Sequence, residues 1–305
     1  MSTYQGERFV AQQLASILSQ LPADGVVMVR DDGSTDGTVA AVEGLRDARV
    51  MLVRGANIGF VRSFLELMDK APPQADVIML SDQADVWLPH KIERACRQLE
   101  GRDARPTLYC SRLQLVDAAL QPIGLSPHWP RGPSFHNALT ENIVTGCTAA
   151  FNRAALELVR RHGDAGRIHF HDWWMYLMVS AFGDVIVDPQ PSVLYRQHSG
   201  NAIGMGSGLG RYWAILKFLR RTNWVRIMYA QADNLMNTHG GALQPAQRAF
   251  IQKYLNPASP FSAARLVLAP RILRQSLLSE LLFRLLVTAT LALGWGRAGW
   301  RKRDV

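Results

Sequence analysis

Apolar residues recur along the first 116 positions with two alternating periods. Phe9, Val10, Leu14, Ile17 and Leu18 fall at helical spacing and the short apolar run 26–29 follows them, which predicts a helix and then a strand. The same alternation predicts a helix from Thr38, a strand over 50–53, a helix over 60–68, a strand over 77–80 and a helix over 89–99. Strands and helices alternating in this way predict an α/β domain with a mostly parallel sheet covered by helices. Further on, strand-like stretches at 108–116, 145–152, 185–187 and 192–196 are interspersed with helical ones at 153–162 and 172–182. A glycine-rich stretch over 200–210, GNAIGMGSGLG, reads as a linker or loop, and a wholly helical tail follows it. This divides the chain into a domain over 1–205 and an extension over 206–305.

With 305 residues, 48% hydrophobic and 19% charged, the chain can bury a core, which excludes wholesale disorder, collagen and coiled coil. The net charge of +9 invites a polyanion: nucleic acid, an anionic membrane surface or a phosphorylated substrate. Its distribution narrows the choice. Residues 211–305 hold 15 Lys and Arg against three acids, a net +12, which leaves −3 on residues 1–210. Cys96, Cys110 and Cys147 lie far apart with no CxxC pair, so they signal neither a disulfide framework nor zinc and suit a reducing cytosol. The opening residues, MSTYQGER, lack the apolar core of a secretory signal.

Two loops at the carboxyl ends of expected strands carry candidate chemistry, because ligands of open sheets bind there. The first, DDGSTDGT over 31–38, can be a turn, with Gly33 at positive φ and Asp36 capping a helix. Its adjacent carboxylates Asp31 and Asp32 repel each other unless a donor or cation receives one, which favours a ligand. The second, SDQADVWLP over 81–89, places Asp82 and Asp85 on a turn where they could hold a hard divalent cation, although Asp85 and Pro89 are also ordinary helix-entry residues.

Together with TYQGE over 3–7 and NIGF over 57–60, these loops resemble the family 2 glycosyltransferases, rhamnosyltransferase-like members in particular, whose counterparts read TYNGE, DDGSTDGT, N-x-GF and SDQDDIWLP. The likeness continues through NIVTGCT over 142–148, HDWW over 171–174 and LYRQH over 194–198, and so covers roughly residues 2–201. The resemblance implies a GT-A fold and inverting transfer from a nucleoside-diphosphate sugar, with dTDP-rhamnose as the donor and a saccharide or lipid-linked acceptor in surface-polysaccharide assembly. It implies that Tyr4 stacks on the base, that Asp32 bonds the base edge while Asp31 and Ser34 shape the loop, and that Asp82 engages the ribose and the metal-diphosphate. Mg2+ or Mn2+ would be held by Asp82, Asp85 and His198. Asp172 matches the family's catalytic base; as an isolated residue it reads equally as a helix N-cap. Gly146, Trp173, Trp174 and Arg196 are the remaining substrate-side candidates, the tryptophans as sugar platforms or as core, and Arg196 as a phosphate partner or a strand flank.

Two departures from the family pattern bear on activity. Ala84 stands where the second aspartate of DxD ligates the metal, and only Met1 and Ser2 precede Thr3 where family members have an apolar strand. The first strand is therefore expected to be missing, and a nucleotide-sugar-binding paralogue with impaired catalysis is the alternative reading. In the tail, the Leu-rich stretch 272–293 contains Arg274, Glu280 and Arg284, and its uninterrupted apolar part is about half of the ~20 residues needed to span a bilayer. It reads either as an interfacial helix on an anionic leaflet, giving a cytoplasmic protein peripheral on the inner face of the membrane, or as helices packed on the catalytic domain. The basic tail has no nucleic-acid recognition motif, so no nucleic-acid partner is expected.

Overall fold

The apolar run after the first helix forms β2 (Val27–Asp31), around which the front of the molecule is built. It pairs in parallel with β3 (Val50–Arg54) over five residues and with β1 (Ser2–Thr3) over two. Side chains alternate across β2, so the two faces of this sheet feed different clusters. Val27 and Val29 pack with Val10, Leu14 and Ile17 of α1 (Val10–Leu18) and with Val42 of α2 (Thr38–Glu43). Met28 faces the cluster of Phe64, Leu65 and Met68 on α3 (Phe60–Asp69). The computed structural model describes residues 1–197, 224–259 and 261–292.

A second sheet has the order β4 (Val77–Met79), β8 (Ala150–Asn152), β6 (Thr107–Val116), β9 (Asp184–Arg196), β5 (Val86–Trp87), with β7 (Pro122–Leu125) paired to β6. A parallel bridge between Ser2 and Asp82 joins the two sheets. The two sheets together are mixed: the longest ladders, β2–β3 and β6–β9, are parallel, and the short ones of β4 and β6 with β8, of β5 with β9 and of β7 with β6 are antiparallel. The stretches 185–187 and 192–196 belong to one continuous strand, β9. The expected strand over 145–152 is shorter than its pattern, because a 3-10 turn at Gly146–Thr148 takes its first half. The first strand, expected to be missing, survives as the two-residue β1, whose register with Arg30 and Asp31 is set.

On one face of this sheet α4 (Lys91–Leu99) packs against Tyr109 and Ala150, and on the other α5 (Phe135–Ala138), α6 (Arg153–Arg160) and α7 (His171–Phe182) pack against Leu108, Cys110 and Phe151. The tail contributes α8 (Trp224–His239), α9 (Pro245–Tyr254), α10 (Ser262–Val267) and α11 (Leu277–Ala292). These helices are not set apart from the first 205 residues. Met228, Leu235, Ile251 and Phe283 share one apolar cluster with Trp173, Met175 and Tyr176 of α7. Asn137 donates to the Leu273 carbonyl at 2.9 Å, and Glu141 receives the Gln275 N–H at 2.8 Å, which fixes the tail to the α5 region. The Leu-rich stretch is packed on one side and open on the other: Phe283 and Val287 are buried, whereas Leu277, Leu278, Leu281, Leu282 and Leu285 are exposed. Among the described residues, no helix is long and apolar enough to cross a membrane.

Candidate functional site

The loop over 31–38 leaves β2 through Gly33, whose φ of 80° favours glycine and where an added Cβ would stand a tight 3.2 Å from the Asn57 nitrogen. Its two carboxylates do not repel in search of a ligand; each is buried and satisfied. Asp31 accepts the Ser34 N–H at 2.8 Å and the hydroxyls of Ser34 and Thr3. Asp32 pairs with the buried Arg30 guanidinium and accepts the N–H groups of Ile58 and Gly59, each at 2.9 Å. Asp32 thereby holds the loop before α3 against β2. Arg30, the residue that makes this possible, carried no motif signal. Tyr4 keeps an exposed ring beside this loop, while Gln83 clamps its backbone in both directions, accepting its N–H at 2.8 Å and donating to its carbonyl at 2.9 Å.

The second loop is built differently. Ligand atoms of Asp82, Asp85 and Cys147 lie within 4.8 Å of one another. Burial lifts the Asp82 carboxyl from 3.8 to about 6, opposed by the amino group of Met1. Asp85 is pushed well above the carboxylate range by burial first and by the charge of Asp82 second. One Asp85 oxygen accepts the Arg196 N–H at 3.2 Å; its Oδ2 is buried without a partner. Two carboxylates with an orphaned oxygen fit a hard divalent cation, and the soft Cys147 thiol, itself held protonated by burial, does not add to that fit. Ala84 supplies only its carbonyl, which receives Arg196 Nε at 2.8 Å. His198, the third expected metal ligand, lies outside the described residues.

Asp172 stands in the first turn of α7, where its two oxygens accept the Trp173 N–H at 2.7 Å and the Gly146 N–H at 3.1 Å. The N-cap position belongs to Phe170, so capping is not the role of Asp172. Burial raises its carboxyl to about 6, with a further push from the charge of Asp82. A Cβ on Gly146 would stand 2.8 Å from His171 Nε2, so this glycine seats the loop against the His171–Asp172 turn. His171 is buried, stacked on Phe64 at 4.1 Å with neither ring nitrogen bonded, and burial lowers it to about 3, so it is neutral.

Three of the expected substrate-side residues face away from the cleft. Trp173 and Trp174 are fully buried; Trp173 donates to the Ala138 carbonyl at 2.7 Å and stacks on Trp224 at 4.4 Å, so both belong to the core and neither is a sugar platform. Arg196 is buried with its guanidinium spent on the carbonyls of Ala84 and Ala118 and on Gln12, and it lies 4.6 Å over Phe9. It is a clamp between β9, α1 and the 82–85 loop, not a phosphate partner. Two residues escaped sequence reasoning. Tyr195 is held far above the phenol range by burial and by Cys147, Asp82, Asp85 and Asp172, which places it among all four. Lys91 is fully buried beneath the cluster, donates to the Thr148 carbonyl at 3.3 Å, and is lowered to about 8 by burial. The LYRQH string contained the first; nothing in the sequence separated Lys91 from a solvated helix lysine.

Residues 1–159 match the family model described as Glycosyl transferase family 2. The chain is 27% identical over 250 residues to dTDP-rhamnosyl transferase RfbG of Shigella flexneri, covering 74% of this chain and 81% of that protein. It is similar in fold to S. aureus TarS 1-349 in complex with UDP-GlcNAc, with a TM-score of 0.58 and 16% identity over 89% of this chain and 75% of that one. It is also similar to the mannosyltransferase PcManGT from Pyrobaculum calidifontis in complex with GDP-Man and Mn2+, with a TM-score of 0.50 and 17% identity over 96% and 86% of the two chains. At these identities the two structures show the fold alone, the GT-A arrangement of a mixed sheet with flanking helices.

Proposed function

Because the chain belongs to glycosyl transferase family 2, and with it to the nucleotide-sugar glycosyltransferases, we propose that it transfers rhamnose from dTDP-rhamnose, with inversion, to a saccharide or lipid-linked acceptor of a surface polysaccharide. The observation that carries this reading is Asp172: a carboxylate held by two backbone N–H groups and raised to about 6, in the electrostatic reach of Asp82. A base of that strength is ionised at neutral pH and still basic enough to accept a hydroxyl proton. In the proposed reaction the acceptor hydroxyl gives its proton to Asp172 while its oxygen bonds the anomeric carbon and the bond to the diphosphate breaks. Tyr4 offers its exposed ring to the base, and the loop fixed by Asp31 and Asp32 borders it. Asp82 and Asp85 would hold Mg2+ or Mn2+, which when bound neutralises the leaving diphosphate.

The membrane reading of the tail belongs to the same proposal. Leu277, Leu278, Leu281 and Leu285 stand exposed on α11, and Phe261, Leu268 and Ile272 are exposed as well, all within residues 211–305, which carry +12. Such a face suits the anionic inner leaflet, where a lipid-linked acceptor would be presented. A second reading, a nucleotide-sugar-binding protein without turnover, is favoured by Ala84. Transfer assays with dTDP-rhamnose, UDP-GlcNAc and GDP-mannose on a lipid-linked acceptor separate the two. Turnover with dTDP-rhamnose that Asp172→Asn abolishes, with donor binding retained, supports the transferase; donor binding with no turnover in the unaltered chain supports the second reading.

A further inference from the structure

Asp172 is not held by its own helix alone. Gly146, whose N–H reaches Asp172 Oδ2 at 3.1 Å, ends a short loop that begins at Asn142, and the Asn142 side chain also favours the ionised form of Asp172. Within that loop Asn142 Oδ1 accepts the Val144 N–H at 3.1 Å, and the Thr145 carbonyl accepts the N–H and the hydroxyl of Thr148 at 2.9 and 2.7 Å. These local bonds fix the shape of the loop but not where it stands against α7. Its placement comes from the turn just ahead of it, residues 137–141.

Two sides grip that turn. From α7, Trp173 Nε1 donates to the Ala138 carbonyl at 2.7 Å and the Tyr176 hydroxyl donates to Asn137 Oδ1 at 2.8 Å. From the tail, Arg274 Nη1 donates to the Thr140 carbonyl at 2.7 Å while its Nη2 lies 3.2 Å from Glu141 Oε1. The other oxygen of Glu141 accepts the Gln275 N–H at 2.8 Å and Asn137 Nδ2 at 3.0 Å. Glu280 of α11 secures the tail segment in turn, accepting the N–H groups of Leu273 and Arg274 at 2.9 and 3.0 Å. Thr140, Glu141, Gln275 and Glu280 are all buried.

A buried ion pair is a weak source of stability, because desolvation offsets much of the attraction and apolar residues of similar volume serve a fold as well. What it adds over apolar packing is direction, since the planar fork of an arginine sets two acceptors at once. Here the two acceptors belong to Thr140 and Glu141, the residues immediately before Asn142. Groups that act on a reacting atom need to be held to about 0.5 Å, and that precision comes from the residues behind them.

We propose that Arg274 and Glu141 are positioning residues for Asp172: the pair sets the start of the 142–146 loop, and with it the donors that the loop turns toward Asp172, so that the tail is part of the active site. The proposal rests on the reading of Asp172 as the base.

Two variants of the full chain test it. Arg274→Met removes the fork; Glu141→Leu combined with Arg274→Met removes both charges together, which preserves the fold if a lone buried carboxylate harms it. The Asp172 carboxyl is followed by 13C NMR, assigned with Asp172→Asn, and turnover by transfer from dTDP-rhamnose. Burial and Asp82 act on that carboxyl together with Trp173, Gly146 and Asn142, Tyr195 lies in its electrostatic reach, and both variants leave all of these residues in place. Displaced N–H donors no longer favour the carboxylate, so its titration is expected to rise by about one pH unit from about 6 in both variants. At neutral pH kcat is expected to fall about tenfold with the KM for dTDP-rhamnose within about twofold.

A purely structural pair gives a different result: Tm falls in Arg274→Met, while the Asp172 titration and kcat of the double variant match the unaltered chain. That outcome overturns the proposal, as does a KM for dTDP-rhamnose that rises tenfold with kcat unchanged. Failure of the base reading is separate, since Asp172→Asn then turns over undiminished while NMR still reads the Asp172 titration in the Arg274 variants.

Discussion

Two pairs of aspartates end two strands of this protein, and their surroundings are opposite. Asp31 and Asp32 are buried with every oxygen accepting, from Ser34, Thr3, Arg30, Ile58 and Gly59. Asp82 and Asp85 are enclosed beside a thiol and each other, raised in pKa, with Asp85 Oδ2 unbonded. The first pair is invested in the fold and the second is left for a ligand. A buried carboxylate that lacks partners destabilises the protein that carries it, and it persists where a substrate or cation completes it. Asp172, raised to about 6 although Trp173 and Gly146 donate to it, belongs with the second group.

The comparison breaks most sharply at Asp172. Asp172→Asn is expected to lower transfer by about 10³-fold with donor affinity nearly unchanged, measured by turnover and by titration with dTDP-rhamnose. Asp32→Ala is expected to lower unfolding stability by about 3 kcal/mol, the low end for a broken buried pair, because Glu66 still bonds Arg30 at 2.9 Å. Chemical denaturation reads that change, and the same experiment on Asp82→Asn should show no loss. Asp82→Asn should instead weaken metal-dependent donor binding by about tenfold in a manganese titration. If Asp32→Ala and Asp82→Asn prove alike in stability, the division between the pairs is wrong.

A smaller effect sharpens the same division by pH. Asp82 and Asp172 titrate near 6 in the folded protein and near 3.8 when unfolded, so between those values the folded state binds more protons. Their contribution to stability is therefore full below about 4 and is lost as pH rises through 6. Asp82→Asn should flatten part of that decline, raising Tm at pH 7.5 by about 2–4 °C relative to the unaltered chain. The smallest change concerns the tail: replacing exposed Leu278, Leu281 and Leu285 by Ser should reduce flotation with anionic vesicles while leaving Tm within about 2 °C, since exposed positions contribute little to folding.

Much of this was legible in the sequence because local pattern and local structure coincide. The helices at α1, α3 and α4 carry their own periodicity, and the loops 31–38 and 81–89 announce themselves by paired acids at strand ends. What stayed hidden depends on partners distant in sequence. The two aspartate pairs look alike until Arg30 of β2 is found bonded to Asp32. HDWW leaves open whether its tryptophans are sugar platforms or core, and a helix buried on nearly all sides takes both inward. Arg196 in LYRQH suggests phosphate or a strand flank, but three acceptors on three separate segments claim its guanidinium.

The central claim is that Asp172 accepts the acceptor proton. The direct measurement is kcat/KM for rhamnosyl transfer from pH 5 to 8, in the unaltered chain and in Asp172→Asn. The account predicts a limb that rises with pH and levels off above about 6 in the unaltered chain and is absent from the residual activity of the variant. The same rising limb in Asp172→Asn, or a variant that turns over at an undiminished rate, would contradict it.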